Sequence, residues 1–120
     1  MTDTLERVQT YRQFIGGEFV DAADGRTADV INPADDQVIA QVPKSAAEDV
    51  DRAVNAAETA FESWKKTTPQ VRAALLLKIA DALEAKGDEL GRLESRNAGK
   101  PVGAAIDEMA VCADLFRFFA

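Results

Sequence analysis

The sequence predicts strands first and helices after: two β-hairpins, then about four helices, an α+β arrangement when taken alone. Three observations carry this. Short β-branched and aromatic pieces, separated by Gly-Gly, Asp-Gly and Asn-Pro turn signals, fill the stretch from Tyr11 to Val42. From Ser45 onward the apolar residues switch to helical spacing. Breaks at Thr68-Pro69, Gly87 and Asn97 to Pro101 then cut the helical stretch into four.

In the first hairpin, Phe14-Ile15 and Phe19-Val20 flank Gly16-Gly17. Two glycines tolerate positive φ at both central turn positions, which a tight hairpin turn requires. Asp24-Gly25 marks the next turn. Val30-Ile31 and Val38-Ile39 are β-branched, and Val38, Ala40 and Val42 alternate with Ile39 and Gln41. Asn32-Pro33 and Asp35-Asp36 supply the turn between them. Strands are predicted over residues 12–16, 18–21, 28–32 and 37–42.

The first helix opens on Ser45-Ala46-Ala47-Glu48, the spacing of a capping box, in which Ser45 accepts from the Glu48 amide and the Glu48 side chain reaches back. Val50, Ala53, Val54, Ala57, Phe61 and Trp64 then fall at offsets 0, 3, 4, 7, 11 and 14, one helix face. Lys65-Lys66 suits the negative end of that helix. Thr68 is the predicted N-cap of the second helix, with Pro69 at its first position, where a missing N–H costs nothing. Val71, Leu75, Ile79, Ala82 and Leu83 form its stripe; Leu76 and Leu77 widen it and predict burial on more than one side. Gly87 is the predicted C-cap. A shorter helix runs from about Asp88 to Asn97, and the last from about Val102 to the end. Ile106, Met109, Ala113, Phe116, Phe118 and Phe119 make that last helix apolar on most sides, with no polar tail after it. Such a helix wants cover on most sides and predicts a piece of a larger protein.

Composition narrows the function classes. The 120 residues are one domain's worth. Fourteen Lys and Arg against 21 Asp and Glu give a net charge of −7, which disfavours nucleic acid and a basic membrane-surface helix. The longest apolar runs, such as Ala73 to Leu77, are too short to cross a bilayer. Met1 to Thr10 does not have the pattern of a secretory signal and is expected to be flexible. The chain has no histidine, which removes the usual general base, the commonest metal ligand and any Ser-His or Cys-His pair. The single cysteine, Cys112, permits no internal disulfide and fits a reducing, cytoplasmic compartment.

Five pieces stand in register: FIGGEFVDA at Phe14 to Ala22, VINPADDQVIAQVPKS at Val30 to Ser45, the stretch Glu48 to Glu84, LESRNAGKP at Leu93 to Pro101, and DLFRFFA at Asp114 to Ala120. Over residues 11–120 they resemble the N-terminal part of the NAD(P)-dependent aldehyde dehydrogenases. WKKTTPQVRAALLLKIAD, LESRNAGKP and DLFRFFA look most like the aminobutyraldehyde (1-pyrroline) dehydrogenase branch, with betaine aldehyde dehydrogenases close by. The resemblance implies an α/β fold in which this stretch belongs to the dinucleotide-binding region, truncated before the Rossmann core and the catalytic domain. It implies oxidation of an (amino)aldehyde such as 4-aminobutanal to the carboxylic acid with NAD or NADP, in a homo-oligomer, with the rest of the chain as partner. In that family a cysteine thiolate attacks the carbonyl, hydride passes to the nicotinamide, and a glutamate-activated water hydrolyses the thioester. Those groups lie later in the family's sequence, so no catalytic and no cofactor-binding residue is assigned here. The chain alone is expected to be inactive and to bind no dinucleotide. Cys112 does not match the nucleophile position and reads as a small buried hydrophobe. The resemblance also implies a structural Na+ or K+, held by the carbonyls of Val30 and Ile31 and the carboxylate of Glu108, where the family more often has aspartate.

Other motifs read as structure. Gly16-Gly17 leads into a strand, not a helix, so it is a hairpin turn and not a phosphate cradle. Gly99-Lys100 is followed by Pro101 where a P-loop needs Ser or Thr. Asp35-Asp36 and Asp107-Glu108 read as a solvated turn and face. A second function class stays open: an acidic helical module, or gene remnant without catalysis, that binds a partner through its Phe-rich last helix.

Overall fold

A computed structural model describes residues 8–120. The expected flexibility of the N-terminus lies, for residues 1–7, outside the described residues. The chain divides between Glu62 and Ser63 into two compact units, each with its own packing. The four predicted helices are present, as are both predicted hairpins, in an α/β arrangement.

The first unit holds β1 (Gln9–Thr10), β2 (Gln13–Ile15), β3 (Glu18–Val20), β4 (Thr27–Ile31), β5 (Val38–Pro43) and most of α1 (Ala47–Trp64). Strands β2 and β3 pair antiparallel around Gly16 (φ 63°) and Gly17 (φ 89°), the turn that the glycine pair predicts. Phe14 stands opposite Phe19 with ring centroids 5.1 Å apart, a tilted cross-strand pair. Strands β4 and β5 pair antiparallel, with an irregularity between Val30 and Ile31. Asn32 closes their turn: its amide donates to Gln37 O at 2.9 Å, and its Oδ1 accepts from Ala34 N at 3.0 Å. Asp36 takes the left-handed conformation there, φ 58°. Strand β1 runs parallel to β5, Gln9 opposite Ala40, and completes the order β1-β5-β4.

The start of α1 corrects the predicted capping box by one residue. The helix begins at Ala47, and it is Asp49, not Glu48, that reaches back, accepting from Ala46 N at 3.0 Å. Its other oxygen accepts from Ala23 N at 2.9 Å, so one carboxylate ties the helix start to the turn after β3. Asp49 is 1% exposed, while the apolar stripe Val50, Val54, Phe61 and Trp64 is exposed along the helix.

The second unit is α2 (Pro69–Ala85), α3 (Gly87–Ala98) and α4 (Val102–Phe118), with α4 packed against both others. Thr68 caps α2, its side chain accepting from Val71 N, with Pro69 next, as predicted. Gly87 does not end that helix: Lys86 is the cap residue, and Gly87 opens α3, where a Cβ would meet Met109 at 3.6 Å. Ala80, Ala105 and Ala113 are fully buried. The expected burial of α2 on more than one side is not found: Ala73, Leu76, Ile79, Ala80 and Leu83 turn inward, while Val71, Leu75 and Leu77 are exposed. A helix apolar all round gives no periodicity to choose a face.

Candidate functional site

One polar constellation of the second unit lies at the α3–α4 corner. Helix α3 ends on Gly99 (φ 74°), whose amide donates to Ser95 O at 2.9 Å. The Ser95 hydroxyl donates to Lys100 O at 2.7 Å, and Pro101 opens α4. Backbone conformation and this hydroxyl therefore fix Lys100 before its side chain begins. Its ammonium donates to Glu108 Oε2 on α4. That hydrogen bond, with the charge behind it, holds Lys100 above the ordinary lysine range; burial opposes the shift, and Glu94 and Cys112 add to it. Cys112, one turn after Glu108, is half-buried with a free thiol.

A second charged cluster joins α4 to α2. Arg117 donates to Glu84 at 2.5 Å and Asp81 at 3.2 Å, and pairs with Asp114 at 3.4 Å. The first two carboxylates hold its guanidinium above the usual arginine range. This is a clamp between helices, with every acidic partner exposed.

In the first unit an open groove of about 690 Å³ runs between the β2–β3 turn and α1. It is lined by Phe14, Gly16 and the small face of Ala53, Ala56, Ala57 and Ala60. No titratable side chain lines it, and the Thr59 hydroxyl donates to Asn55 O at 2.9 Å. Such a surface offers packing area and no acid, base or nucleophile.

A family model described as the aldehyde dehydrogenase family matches residues 19–120. The chain belongs to the aldehyde dehydrogenase family. Over 107 residues it is 45% identical to the mitochondrial aldehyde dehydrogenase of Leishmania tarentolae, covering 88% of this chain and 22% of that protein. An aldehyde dehydrogenase of Davidiella tassiana is 42% identical over the same length, with the same coverage. The NAD-dependent aldehyde dehydrogenase of Sinorhizobium meliloti superposes with TM-score 0.88 at 36% identity, over 92% of this chain and 23% of that one. A betaine aldehyde dehydrogenase of Staphylococcus aureus in complex with NAD+ gives TM-score 0.86 at 36% identity, over 89% and 22%. This aldehyde dehydrogenase segment thus spans less than a quarter of the length of these relatives.

Family members use a dinucleotide, and the glycines of this segment test whether it builds a cradle for one. Gly16 and Gly17 turn a hairpin, Gly25 a loop, and Gly99 caps α3. The strand-to-helix connection from β5 to α1, Lys44 to Ala46, contains no glycine. These residues do not fit a pyrophosphate cradle.

The expected cation ligands stand as follows. Val30 and Ile31 lie on β4 in the first unit, and Glu108 on α4 in the second. Oxygen donors suit a hard cation. Of these donors, Glu108 accepts from the Lys100 ammonium through Oε2, and its side chain is 52% exposed. Among the described residues, no group of three or more His, Cys, Asp and Glu could hold a metal ion. No helix among them is long and apolar enough to cross a membrane.

Lys100, Asp49 and Arg117 tie elements together through polar contacts, and sequence reasoning gave none of them this role. Asp49 had a legible signal, a carboxylate three residues after Ala46 at a helix start. Asp81 and Glu84, the α2 partners of Arg117, lie more than thirty residues before it, and Glu108 lies eight residues after Lys100, so neither pairing left a local signal.

Proposed function

We propose that this chain is the amino-terminal part of an NAD(P)-dependent aldehyde dehydrogenase that oxidises an (amino)aldehyde such as 4-aminobutanal to the acid. Its role is architectural: it supplies helices and hairpins to the dinucleotide-binding region and to assembly of a homo-oligomer. The observation that carries this is the family match over residues 19–120, on a chain that covers 22% of its L. tarentolae relative. The described residues hold two charge clamps and an apolar groove. The bound dinucleotide would accept hydride in the complete enzyme. The single cysteine supports a reducing compartment, the cytoplasm.

Segment replacement tests the proposal. The matching segment of the S. meliloti NAD-dependent enzyme is replaced by this chain, and NADH formation is followed. An architectural segment gives a soluble chimera that oxidises aldehydes. A chimera that folds and assembles but forms no NADH contradicts the proposed role. Comparing 4-aminobutanal with betaine aldehyde on the complete protein then decides the substrate branch.

A further inference from the structure

We propose that Asp24–Gly25 is an isoaspartate-forming site that the folded chain holds shut by hydrogen-bonding both reacting groups. Asp24 is the only aspartate in the sequence followed by glycine. In this chemistry the Gly25 nitrogen loses its proton and attacks Cγ of Asp24; a Cγ–N bond forms, the Cγ–OH bond breaks and water leaves. Glycine, having no Cβ, leaves that attack uncrowded. Water then adds back to the cyclic imide. Opening at Cγ restores aspartate, and opening at the backbone carbonyl carbon leaves isoaspartate, with the chain rerouted through the side chain. Water is the sole co-reactant, and nothing is oxidised or reduced. Nothing lies within 4 Å of where a Gly25 Cβ would stand, so burial does not shield the site. Hydrogen bonds do. The Gly25 amide donates to Ala22 O at 2.8 Å, so taking its proton breaks a bond of the turn. Both Asp24 oxygens are held as well: Oδ1 accepts from Arg26 N at 3.0 Å and Oδ2 from Arg26 Nε at 2.6 Å. Donors to both oxygens favour the carboxylate over the acid, whose hydroxyl is the group that must leave. Lys44 N in turn donates to Arg26 O at 2.9 Å, which fastens the loop to the residue after β5. The Arg26 and Asp24 side chains are 58% and 37% exposed, so their ion pair alone is weak; the hold lies in the amides of Gly25 and Arg26.

The test ages the chain folded and unfolded in urea, and measures isoaspartate in the tryptic peptide that holds Asp24 by chromatography and electron-transfer fragmentation. The folded wild type is expected to form it about tenfold or more slowly than the unfolded chain. Arg26→Pro removes the amide that holds Asp24 Oδ1, and the guanidinium with it, and is expected to bring the folded chain most of the way to the unfolded rate. Arg26→Ala keeps the amide and is expected to stay near wild type. A folded wild type that isomerises as fast as the unfolded chain overturns the proposal, and so does a folded Arg26→Pro chain as slow as wild type. An Arg26→Ala chain as fast as Arg26→Pro overturns the assignment of the hold to the amides. If Arg26→Pro does not fold, hydrogen exchange of the Gly25 amide in the wild type decides: protection upholds the proposal, and exchange at the unfolded rate overturns it. Aldehyde oxidation is not read, so failure of either proposal leaves the other standing.

Discussion

Gly91 on α3 and Ile106 on α4 approach so closely that a Cβ on Gly91 would lie 2.6 Å from the Ile106 Cα. The obstacle is backbone and cannot rotate away. This approach, with fully buried Ala105 beside it, sets how closely the two helices cross.

Gly91→Ala is therefore expected to destabilise the chain, although alanine is the better helix former. Overpacking costs about 1–3 kcal/mol, against about 1 kcal/mol gained in propensity. Gly103→Ala, where nothing lies within 4 Å of the new methyl, is the control with the opposite sign. Urea midpoints of the two variants should fall on opposite sides of the wild type.

Asp49 should make stability pH-dependent. The amides of Ala46 and Ala23 donate to its carboxylate, and Arg52 lies near; burial opposes them, and the net effect is a lowered pKa. A lowered folded-state pKa means that the unfolded chain takes up the proton first as pH falls. The stabilisation is complete well above the ordinary aspartate pKa of about 3.9 and is lost as pH drops through the lowered folded-state pKa. Asp49→Asn should lower the neutral-pH thermal midpoint and flatten its fall below about pH 4 relative to wild type. Asp24 and Asp88 are shifted in the same direction and are unchanged in the variant, so the difference between the two curves reports Asp49.

The Arg117 clamp should behave as surface electrostatics. Its three acidic partners are exposed, so Arg117→Met is expected to cost little stability, and the cost should shrink as salt is added. A loss independent of salt would instead place the weight on packing of the arginine stem.

The aromatic end of α4 should make the chain self-associate. Phe118 is 80% and Phe119 72% exposed, their rings edge-to-face at 5.0 Å, and Val111 and Leu115 are exposed on the same helix. Apolar patches of this kind favour association. In sedimentation the wild type should run heavier than 12.9 kDa and bind a hydrophobic dye. Phe118→Ser with Phe119→Ser should reduce both.

What could be read in advance was local. Gly16-Gly17 and Thr68-Pro69 state their turn and cap within a few residues, and both form as read. The cap of α1 slipped by one because Glu48 and Asp49 both offer a carboxylate near the right spacing, and only the approach of Ala23 N selects the second. Strand β1 was missed because Gln9–Thr10 is polar and its parallel partner lies about thirty residues on. The inward face of α2 was illegible because Val71, Leu75 and Leu76 are all apolar and only α4 chooses among them. Lys100 finding Glu108 could not be singled out among 14 basic and 21 acidic residues, because eight residues separate the pair. The family itself was legible from five ordered pieces of sequence, and the match over residues 19–120 bears out the family but not the aminobutyraldehyde branch.

NADH formation from 4-aminobutanal and NAD by the purified 120-residue chain is the most direct measurement of whether this segment carries architecture or chemistry. An architectural segment gives no turnover, and Cys112→Ala changes nothing. Turnover by the chain alone, abolished by Cys112→Ala, would contradict the account.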